Sequence, residues 1–375
     1  MKYFLIAGEA SGDLHASRLV TSIKKLDPAA EFMFIGGDLM QDAAGQSALM
    51  HFRSMNVMGF TAVIGQLFKF GRILKQAKDV LASFQPDVFI PVDYAGFNLR
   101  MAKFAKKNGI PVFYYISPKV WAWRKSRIKI IRKYVDRMFA IFPFEVDFFQ
   151  QHDVKVEYEG NPLMDVLYEY RQQDAGPDGF KKENNFQGEK IIALLAGSRN
   201  QEITLCLPEM VKATANFPGY RFVVAGAPSV DPELYSNILG DSGISVVYGK
   251  TYQLLSASEA AIVTSGTATL ETALLNVPEV VVYKTGKFTY GIGKLFITFR
   301  FFSLVNLILG RELVKELLQD DLAKNMSIEL QCILNDTNYR SEMIEGYGKI
   351  REMLGEPGVS GRIAHRMIGL LSEEM

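Results

Sequence analysis

Two successive series of short apolar runs, each run separated from the next by a segment of helical periodicity, dictate the class of fold open to this chain. Such runs are typical of strands buried on both faces of a parallel sheet, with the intervening helices covering those faces. The predicted strands of the first series lie near residues 2–7, 32–36, 87–92, 111–116, 138–142 and 154–158. Those of the second series lie near residues 190–196, 221–225, 244–248, 260–264 and 279–283. We therefore predict two doubly wound, Rossmann-like α/β domains that face each other across a cleft.

A polar, turn-rich stretch separates the two series and marks the boundary between the predicted domains. Its centre, residues 171–179, offers almost nothing apolar to bury. After Gly310 the sequence has helical periodicity almost to its end, including residues 311–320 and 338–354. We predict an N-terminal domain, a linker, a C-terminal domain, and C-terminal helices that pack on the N-terminal domain or on a partner subunit. Their ranges are residues 1–167, 168–189, 190–345 and 346–375.

Composition and charge exclude several classes of protein. A chain of 375 residues with 48% hydrophobic composition can fill two cores without disulfides, and a net charge of +1 gives no support for a nucleic-acid partner. Cys206 and Cys332 form no CxxC motif and the four histidines are scattered, so no metal site or cofactor is expected. The N-terminus reads as a strand rather than a signal peptide, and no apolar stretch approaches the roughly 20 residues that span a bilayer. We expect a cytoplasmic protein whose membrane contact is peripheral.

Polar residues follow two strands of the first series, at the edge where ligands of such sheets bind. Asp93 comes directly after the strand at 87–92, where its carboxylate either accepts a proton from an attacking hydroxyl or caps the next helix. A glycine-containing loop follows the first strand, and it either borders the cleft or only makes a tight turn into a helix. Its candidate residues are Gly8, Glu9, Ser11, Gly12 and Asp13.

Two loops of the second series are candidates for binding phosphate. The first follows the strand at 190–196 and contains Gly197, Ser198 and Arg199. The second follows the strand at 260–264 and contains Ser265, Gly266, Thr267 and Glu271. The arginine could pair with a diphosphate, and the glutamate, one turn into its helix, could hold the hydroxyls of a ribose. Ordinary strand-to-helix turns with a capping serine are the alternative, but two such loops in one domain favour a nucleotide diphosphate.

Three segments combine aromatic with basic residues, which suits contact with a lipid surface. These segments are residues 57–75, 117–133 and 284–304. The residues that we expect to contact the membrane or an acyl chain are Phe60, Leu67, Phe68, Trp121, Trp123 and Arg124. The alternative is a set of solvated basic helices whose aromatic side chains fold into the core, but the recurrence of the pattern favours a peripheral membrane patch.

These motifs, in this order, resemble those of the lipid-A-disaccharide synthase family, whose members are bacterial glycosyltransferases with a GT-B type fold. The resemblance covers nearly the whole chain and rests on six elements. They are GEASGD at residues 8–13, VMG at 57–59, SPKVWAWR at 117–124, GSR at 197–199, SGTA with LE at 265–271, and NL with GRELVKE at 306–316.

The resemblance implies an inverting, metal-independent transfer from UDP-2,3-diacylglucosamine to 2,3-diacylglucosamine 1-phosphate, which gives a β-1,6-linked disaccharide and UDP. It implies an acceptor-binding N-terminal domain with Asp93 as general base. It also implies a UDP-sugar-binding C-terminal domain in which Arg199, Glu271 and Asn306 serve the donor. Peripheral attachment to the inner membrane and a homodimer with exchanged C-terminal segments are further implications. A UDP-sugar 2-epimerase and a non-catalytic protein that binds UDP-sugars or lipid surfaces are the alternatives.

The chain departs from the family pattern at three positions. Gly96 replaces the second acid of the common Asp-x-Pro-Asp-Phe-Asn sequence, so no role of that acid carries over. Ala196 and Asn161 replace a frequent proline and a frequent histidine, and neither change removes a charged catalytic group.

Overall fold

The structure is a computed structural model that describes residues 1–55, 63–120, 127–173, 176–284 and 301–374. The chain divides into two compact units. The first unit comprises Met1–Val166 and Leu354–Met375, and the second comprises Leu167–Met353. Each unit contains one parallel sheet whose strands alternate with helices, which confirms the predicted α/β class with two Rossmann-like domains.

Each of the eleven predicted strands is present, and two short strands, at Met50–His51 and Glu316–Leu318, were not predicted. Those of the first unit are β1 (Lys2–Ala7), β2 (Glu31–Gly36), β3 (Met50–His51), β4 (Val88–Val92), β5 (Phe113–Tyr115), β6 (Arg137–Ala140) and β7 (Val156–Tyr158). Those of the second are β8 (Ile191–Leu195), β9 (Arg221–Gly226), β10 (Ser245–Tyr248), β11 (Ser258–Thr264), β12 (Glu279–Tyr283) and β13 (Glu316–Leu318). The first sheet has the order β3-β2-β1-β4-β5-β6-β7 and the second the order β10-β9-β8-β11-β12-β13.

This strand order decides where each unit can bind a ligand. The chain moves outward in one direction from β1 and in the other from β4, so the two form the topological switch point of the first sheet. In the second sheet β8 and β11 occupy the equivalent position. Ligands of doubly wound sheets bind outside the carboxyl ends of the strands at such points. Both candidate sites of the sequence analysis therefore follow the strands at a switch point.

Helices connect the strands in both units. Before the boundary they are α1 (Ala10–Leu26), α2 (Asp38–Ala44), α3 (Val63–Phe84), α4 (Ala95–Lys107), α5 (Ile128–Tyr134) and α6 (Pro143–Gln150), with a 3-10 turn at Phe52–Ser54. They continue with α7 (Leu163–Gln173), α8 (Gly176–Glu183), α9 (Asn200–Thr214), α10 (Pro232–Leu239), α11 (Thr251–Ser256) and α12 (Thr267–Leu274). The last are α13 (Leu304–Leu309), α14 (Leu322–Asn335), α15 (Thr337–Leu354) and α16 (Val359–Glu374), of which α16 packs against α1 in the first unit.

The stretch expected to be a linker, residues 168–189, is largely helical and belongs to the second unit. Within it Phe180 and Phe186 are buried in the core of that unit together with residues of β8. Two aromatic side chains therefore anchor this segment to the second unit, although its polar composition predicted a linker.

The helix expected over residues 311–320 is absent from that range, where β13 lies instead. Gly310, with φ of 68°, ends α13, and Glu316–Leu318 pair in parallel with Val281–Tyr283 of β12. The helix prediction was wrong because local periodicity does not report pairing with a strand that is distant in the sequence. In the part of the chain that the structure describes, none of the helices combines the length and apolarity needed to cross a membrane.

Candidate active site

Asp93 follows the carboxyl end of β4, and its backbone has a left-handed conformation that the surrounding residues must stabilise. Its φ is 44°, that of Tyr94 is 46°, and that of Ile116, just after the neighbouring β5, is 62°. Left-handed backbone is strained for a bulky or β-branched residue and costs roughly 1–3 kcal/mol per residue. Strain of this kind concentrates at functional sites. Three left-handed residues on adjacent strand ends therefore support the interpretation of this edge as a site.

Hydrogen bonds from the core hold Asp93 in this conformation. Its N–H donates to the carbonyl of Tyr115 at 3.1 Å. Its carbonyl accepts from the Tyr114 hydroxyl at 2.5 Å and from the Asn98 side-chain amide at 2.9 Å. The alternative interpretation of Asp93 as the cap of α4 is not supported, because the N-cap residue of α4 is Tyr94 and makes no side-chain cap bond.

The surroundings of Asp93 bring its carboxyl close to neutral pH. Burial, followed by the negative charge of Glu9, raises the pKa of Asp93 from 3.8 to about 6, while the ammonium group of Lys119 acts in the opposite direction. A general base works best when its pKa lies near the working pH. The carboxyl is therefore mostly ionised at pH 7, as a general base must be, and becomes protonated when the pH falls below about 6.

The loop after β1 contains one residue whose charge acts on Asp93 and another that stabilises a neighbouring helix. Glu9 accepts a hydrogen bond from the exposed Ser11 hydroxyl at 3.0 Å, and its charge acts on Asp93. Asp13 is buried, and its carboxylate accepts the N–H groups of Gly37, Leu39 and Met40 at 2.6, 3.2 and 3.3 Å. Asp13 therefore caps α2 in this structure, and its place in the cleft loop stays a prediction.

Gly8 is required because the ring of Tyr94 occupies the space of a side chain. A methyl group at Gly8 would lie 2.3 Å from that ring, so the ring would have to move. We expect Gly8→Ala to lower the free energy of unfolding by about 1–3 kcal/mol and to lower activity, because Tyr94 adjoins Asp93. Thermal unfolding and turnover measure the two effects.

Gly12→Ala is the matched control for Gly8→Ala. A methyl group at Gly12, within α1, would meet its nearest neighbour, the Ala7 Cβ atom, at 3.4 Å, which is an ordinary contact. We expect this variant to be at least as stable as the wild type, because alanine is the better helix former. Equal losses of stability in both variants would show that the Tyr94 contact does not matter.

In the second unit, Arg199 follows β8 on a turn that only glycine fits. Gly197 has φ of 112°, and a Cβ atom there would lie 2.6 Å from the Glu202 carboxylate. Glu202 accepts the N–H of Ser198 and the guanidinium of Arg199, each at 3.0 Å. The Arg199 side chain is still 70% exposed, so it can exchange this ion pair for a stronger partner.

The loop after β11 supplies a second group of polar residues at the same edge of the sheet. The Ser265 hydroxyl donates to the Phe302 carbonyl at 2.9 Å, and Gly266 and the exposed Thr267 begin α12. Glu271, one turn further, accepts the Tyr252 hydroxyl at 2.8 Å. Burial raises the pKa of Glu271 above its ordinary value, so this carboxyl needs a hydrogen-bonding partner to stay charged.

Asn306, which is predicted to serve the donor, lies in the interior of the second unit. It is completely buried, and its amide nitrogen donates to Val314 O and Glu316 Oε1, each at 2.9 Å. Its amide oxygen accepts the N–H groups of Leu313 and Val314 at 2.7 and 3.1 Å. Glu316 in turn accepts the N–H of Phe302 at 2.8 Å. Through Glu316, Asn306 therefore holds the segment at Phe302, whose carbonyl accepts the Ser265 hydroxyl. In this structure Asn306 positions that segment.

Asn306→Ala would leave buried backbone groups of Leu313 and Val314 without partners. We expect it to lower the free energy of unfolding by about 2–4 kcal/mol, since each orphaned buried group costs about 1–3 kcal/mol. Chemical denaturation gives the value. Asn325→Ala, which removes an exposed amide bonded at 3.5 Å to the Asp320 carbonyl, is expected to stay within about 0.5 kcal/mol of the wild type. A similar small effect of Asn306→Ala would rule out the positioning role.

The predicted membrane contacts are described only in part. Phe60, Trp121, Trp123 and Arg124 lie outside the described residues, as does the side chain of Leu67. Phe68, on α3, is 76% exposed. Across the described ranges, no group of three or more His, Cys, Asp or Glu side chains could hold a metal ion.

Sequence reasoning missed the buried partners that support the site. Glu145 of α6 is buried and accepts the Ser117 hydroxyl as well as the N–H of Phe142 at 3.2 Å. Tyr114 and Asn98 bind the Asp93 carbonyl. A polar residue among apolar ones, such as Asn98 in α4, was a sign of a buried hydrogen-bonding group. Its partners could not be identified from the sequence, because they lie up to 92 residues away.

Comparisons with known proteins agree on a family. A family model described as lipid-A-disaccharide synthetase matches residues 3–356. The chain is 38% identical over 381 residues to a lipid-A-disaccharide synthase of Myxococcus xanthus, covering 99% of this chain and 97% of that protein. It is 37% identical over 377 residues to one of Syntrophus aciditrophicus, covering 98% and 97%.

Solved structures share the fold at much lower identity. The UDP-GlcNAc 2-epimerase from Neisseria meningitidis, bound to UDP-GlcNAc, superimposes with a TM-score of 0.68 at 14% identity, covering 98% of this chain and 100% of that one. The calicheamicin glycosyltransferase CalG4 superimposes with a TM-score of 0.58 at 15% identity, covering 99% and 98%. At these identities the likeness concerns the fold alone.

Proposed function

This chain belongs to the lipid-A-disaccharide synthase family, and on that premise we propose that it joins UDP-2,3-diacylglucosamine to 2,3-diacylglucosamine 1-phosphate. It is a glycosyltransferase of lipid A disaccharide synthesis. The products of the proposed reaction are a β-1,6-linked disaccharide 1-phosphate and UDP. The observation that carries the detailed proposal is the partly buried carboxylate of Asp93, which lies on left-handed backbone and whose pKa is raised to about 6.

In the proposed mechanism Asp93 accepts the proton of the acceptor's 6-hydroxyl as that oxygen attacks C1 of the donor sugar. The attack comes from the face opposite UDP, so a single displacement inverts the anomeric centre. One bond forms between the acceptor oxygen and C1, and the bond between C1 and the UDP oxygen breaks with its electron pair on UDP. Burial and the charge of Glu9 raise the pKa of Asp93, which makes the carboxylate a stronger base than an exposed aspartate.

The second unit supplies the groups that the proposal assigns to UDP. Arg199 pairs with the diphosphate and offsets the charge that develops as UDP departs. The first N–H groups of α9 and α12 point toward the same region, at the carboxyl ends of β8 and β11, and favour a negative group. Glu271 accepts the ribose hydroxyls in addition to the Tyr252 hydroxyl. Together these groups take the role that a divalent cation has in other transferases.

The alternatives are less well supported. The epimerases match in fold at 13–16% identity, whereas the synthases match in sequence over nearly their whole length at 34–38%. An epimerase would convert the donor without any acceptor. A non-catalytic protein that binds UDP-sugars would need Arg199 and Glu271 but not the strained Asp93.

Peripheral attachment to the inner membrane and a homodimer are part of the same proposal. Both substrates carry acyl chains, and on α3 the exposed Phe68 is followed in the sequence by the exposed Lys69. An aromatic side chain next to a cation suits a lipid interface with anionic headgroups. In the dimer that we propose, C-terminal segments such as α16 exchange between subunits.

Mass spectrometry of products tests the proposal. The purified chain is incubated with the donor alone, with the acceptor alone, and with both, each in the absence and in the presence of a chelator. We expect a tetraacyl disaccharide phosphate only when both substrates are present. Release of UDP from the donor alone would support hydrolysis instead, and a donor isomer of unchanged mass, separated by chromatography, would support epimerisation. Loss of product on adding chelator would contradict the assignment of Arg199 and the helix N-termini.

A further inference from the structure

Two adjacent tyrosines on β5 have the same burial but different bonding. Tyr114 and Tyr115 are both completely buried. The Tyr114 hydroxyl donates to the Asp93 carbonyl at 2.5 Å, whereas the Tyr115 hydroxyl has no hydrogen-bond partner among the described residues. Burial raises the pKa of Tyr114 well above its usual value, so this hydroxyl remains a donor at any working pH. The Tyr114 phenol, from the middle of β5, therefore binds the main chain of the proposed base.

The carbonyl that Tyr114 binds belongs to the peptide between two left-handed residues. Asp93 and Tyr94 have φ of 44° and 46°. Asn98 donates to the same carbonyl at 2.9 Å, and its amide also reaches the carbonyls of Ile6 and Val92 at 3.2 and 3.1 Å. Two donors from the core thus fix the plane of this peptide. The backbone angles of Asp93 set the direction of its Cα–Cβ bond, so the same two donors determine where the carboxylate points.

We propose that Tyr114 is a positioning residue for the transfer reaction: its hydroxyl, with the Asn98 amide, holds the Asp93–Tyr94 peptide in the left-handed conformation that directs the Asp93 carboxylate to the acceptor hydroxyl. This inference rests on the proposed function of Asp93 as general base. A core tyrosine that does not touch substrate would thereby affect the chemical step. Small displacements of a catalytic group lower the rate by orders of magnitude without changing how substrates bind.

Tyr114→Phe tests this role because it removes one oxygen and keeps the ring. We expect kcat to fall by about 10- to 100-fold, with the KM values of both substrates changed by less than about twofold. Tyr115→Phe is the matched control, since the ring and burial are the same and its hydroxyl has no partner among the described residues. We expect kcat of the control to equal that of the wild type. Thermal unfolding of both variants checks that the fold is intact.

A double variant separates positioning from a general loss of structure. If Tyr114 acts only through Asp93, then Tyr114→Phe combined with Asp93→Asn is no slower than Asp93→Asn alone. Wild-type kcat in Tyr114→Phe, beside an inactive Asp93→Asn, would overturn the inference and leave the proposed function standing. Multiplied losses in the double variant, or a lowered melting temperature that tracks the loss of activity, would also overturn it. Full activity of Asp93→Asn would overturn the base assignment and this inference together.

Discussion

Replacing Asp93 with asparagine is expected to lower kcat by about 10²- to 10⁴-fold while the protein folds normally. The reason is that the amide cannot accept the proton of the attacking hydroxyl. Asparagine is the informative substitution because Asp93 has φ of 44°, and asparagine tolerates left-handed backbone better than alanine does. Turnover with both substrates, measured beside circular dichroism, gives the result.

The same variant has a second expected effect, on the dependence of activity and stability on pH. In the wild type, kcat/KM is expected to fall as the pH drops below about 6, because Asp93 then becomes protonated. A carboxyl with a pKa raised from 3.8 binds protons more tightly in the folded state, so its contribution makes the wild type more stable as the pH falls through 6 towards 3.8. Above pH 6 the buried charge is a cost. We expect Asp93→Asn to be more stable than the wild type at pH 8 by about 1–3 kcal/mol.

Asp153 offers a control with the same residue type and backbone conformation. Its φ is 57°, but its side chain is 83% exposed. It precedes β7 and so lies at the amino ends of the strands, whereas Asp93 lies at their carboxyl ends. We expect Asp153→Asn to keep wild-type turnover and wild-type pH dependence. If Asp93→Asn were as active as Asp153→Asn, the base would have to be sought elsewhere.

Replacing Arg199 with alanine is expected to lower kcat/KM for the donor by about 10²- to 10³-fold, through lost stabilisation of the charge on departing UDP. Arg199→Lys keeps the charge but loses the planar fork that pairs with two phosphate oxygens, so we expect an intermediate loss. Binding of UDP itself, followed by calorimetry, is expected to weaken in the same order. That readout does not depend on the chemical step.

Lys212, at the far end of the helix that Arg199 precedes, provides the control for Arg199. It pairs with Glu209 at 3.2 Å, three residues before it, as Arg199 pairs with Glu202 three residues after it, and its side chain is 65% exposed. Lys212 lies in the last turn of α9, away from the loop after β8. We expect Lys212→Ala to bind UDP and to turn over as the wild type does. UDP affinity that was unchanged in Arg199→Ala would refute its assignment to the diphosphate.

The class of fold could be predicted because buried parallel strands leave a local signature. β1 and β4 are apolar along nearly their whole length, so each could be located from its own residues. The short β13 could not, since Glu316–Leu318 become a strand only by pairing with β12. Likewise, α8 docks through the buried Phe180 within an otherwise polar segment.

The candidate site was predictable in position but not in the tasks of its residues. A carboxylate after a strand could be expected near the ligand edge, and Asp93 lies there. Asp13 looked equivalent, yet its carboxylate caps α2, whose first residue is 25 positions further along the chain. Asn306 is predicted to serve the donor, and nothing in the sequence around it indicated that its side chain also bonds Leu313, Val314 and Glu316. Which partner a polar group finds is a property of the fold, and no local pattern reports it.

An inverting, base-assisted transfer fixes both the configuration and the position of the bond in the product. Proton NMR of the purified disaccharide, made from both substrates, gives the anomeric coupling and the linked carbon. We expect a β-linked product joined at the acceptor's 6-oxygen, made by the wild type and nearly absent with Asp93→Asn. An α-linked product would contradict single displacement, because it would retain the configuration of the donor.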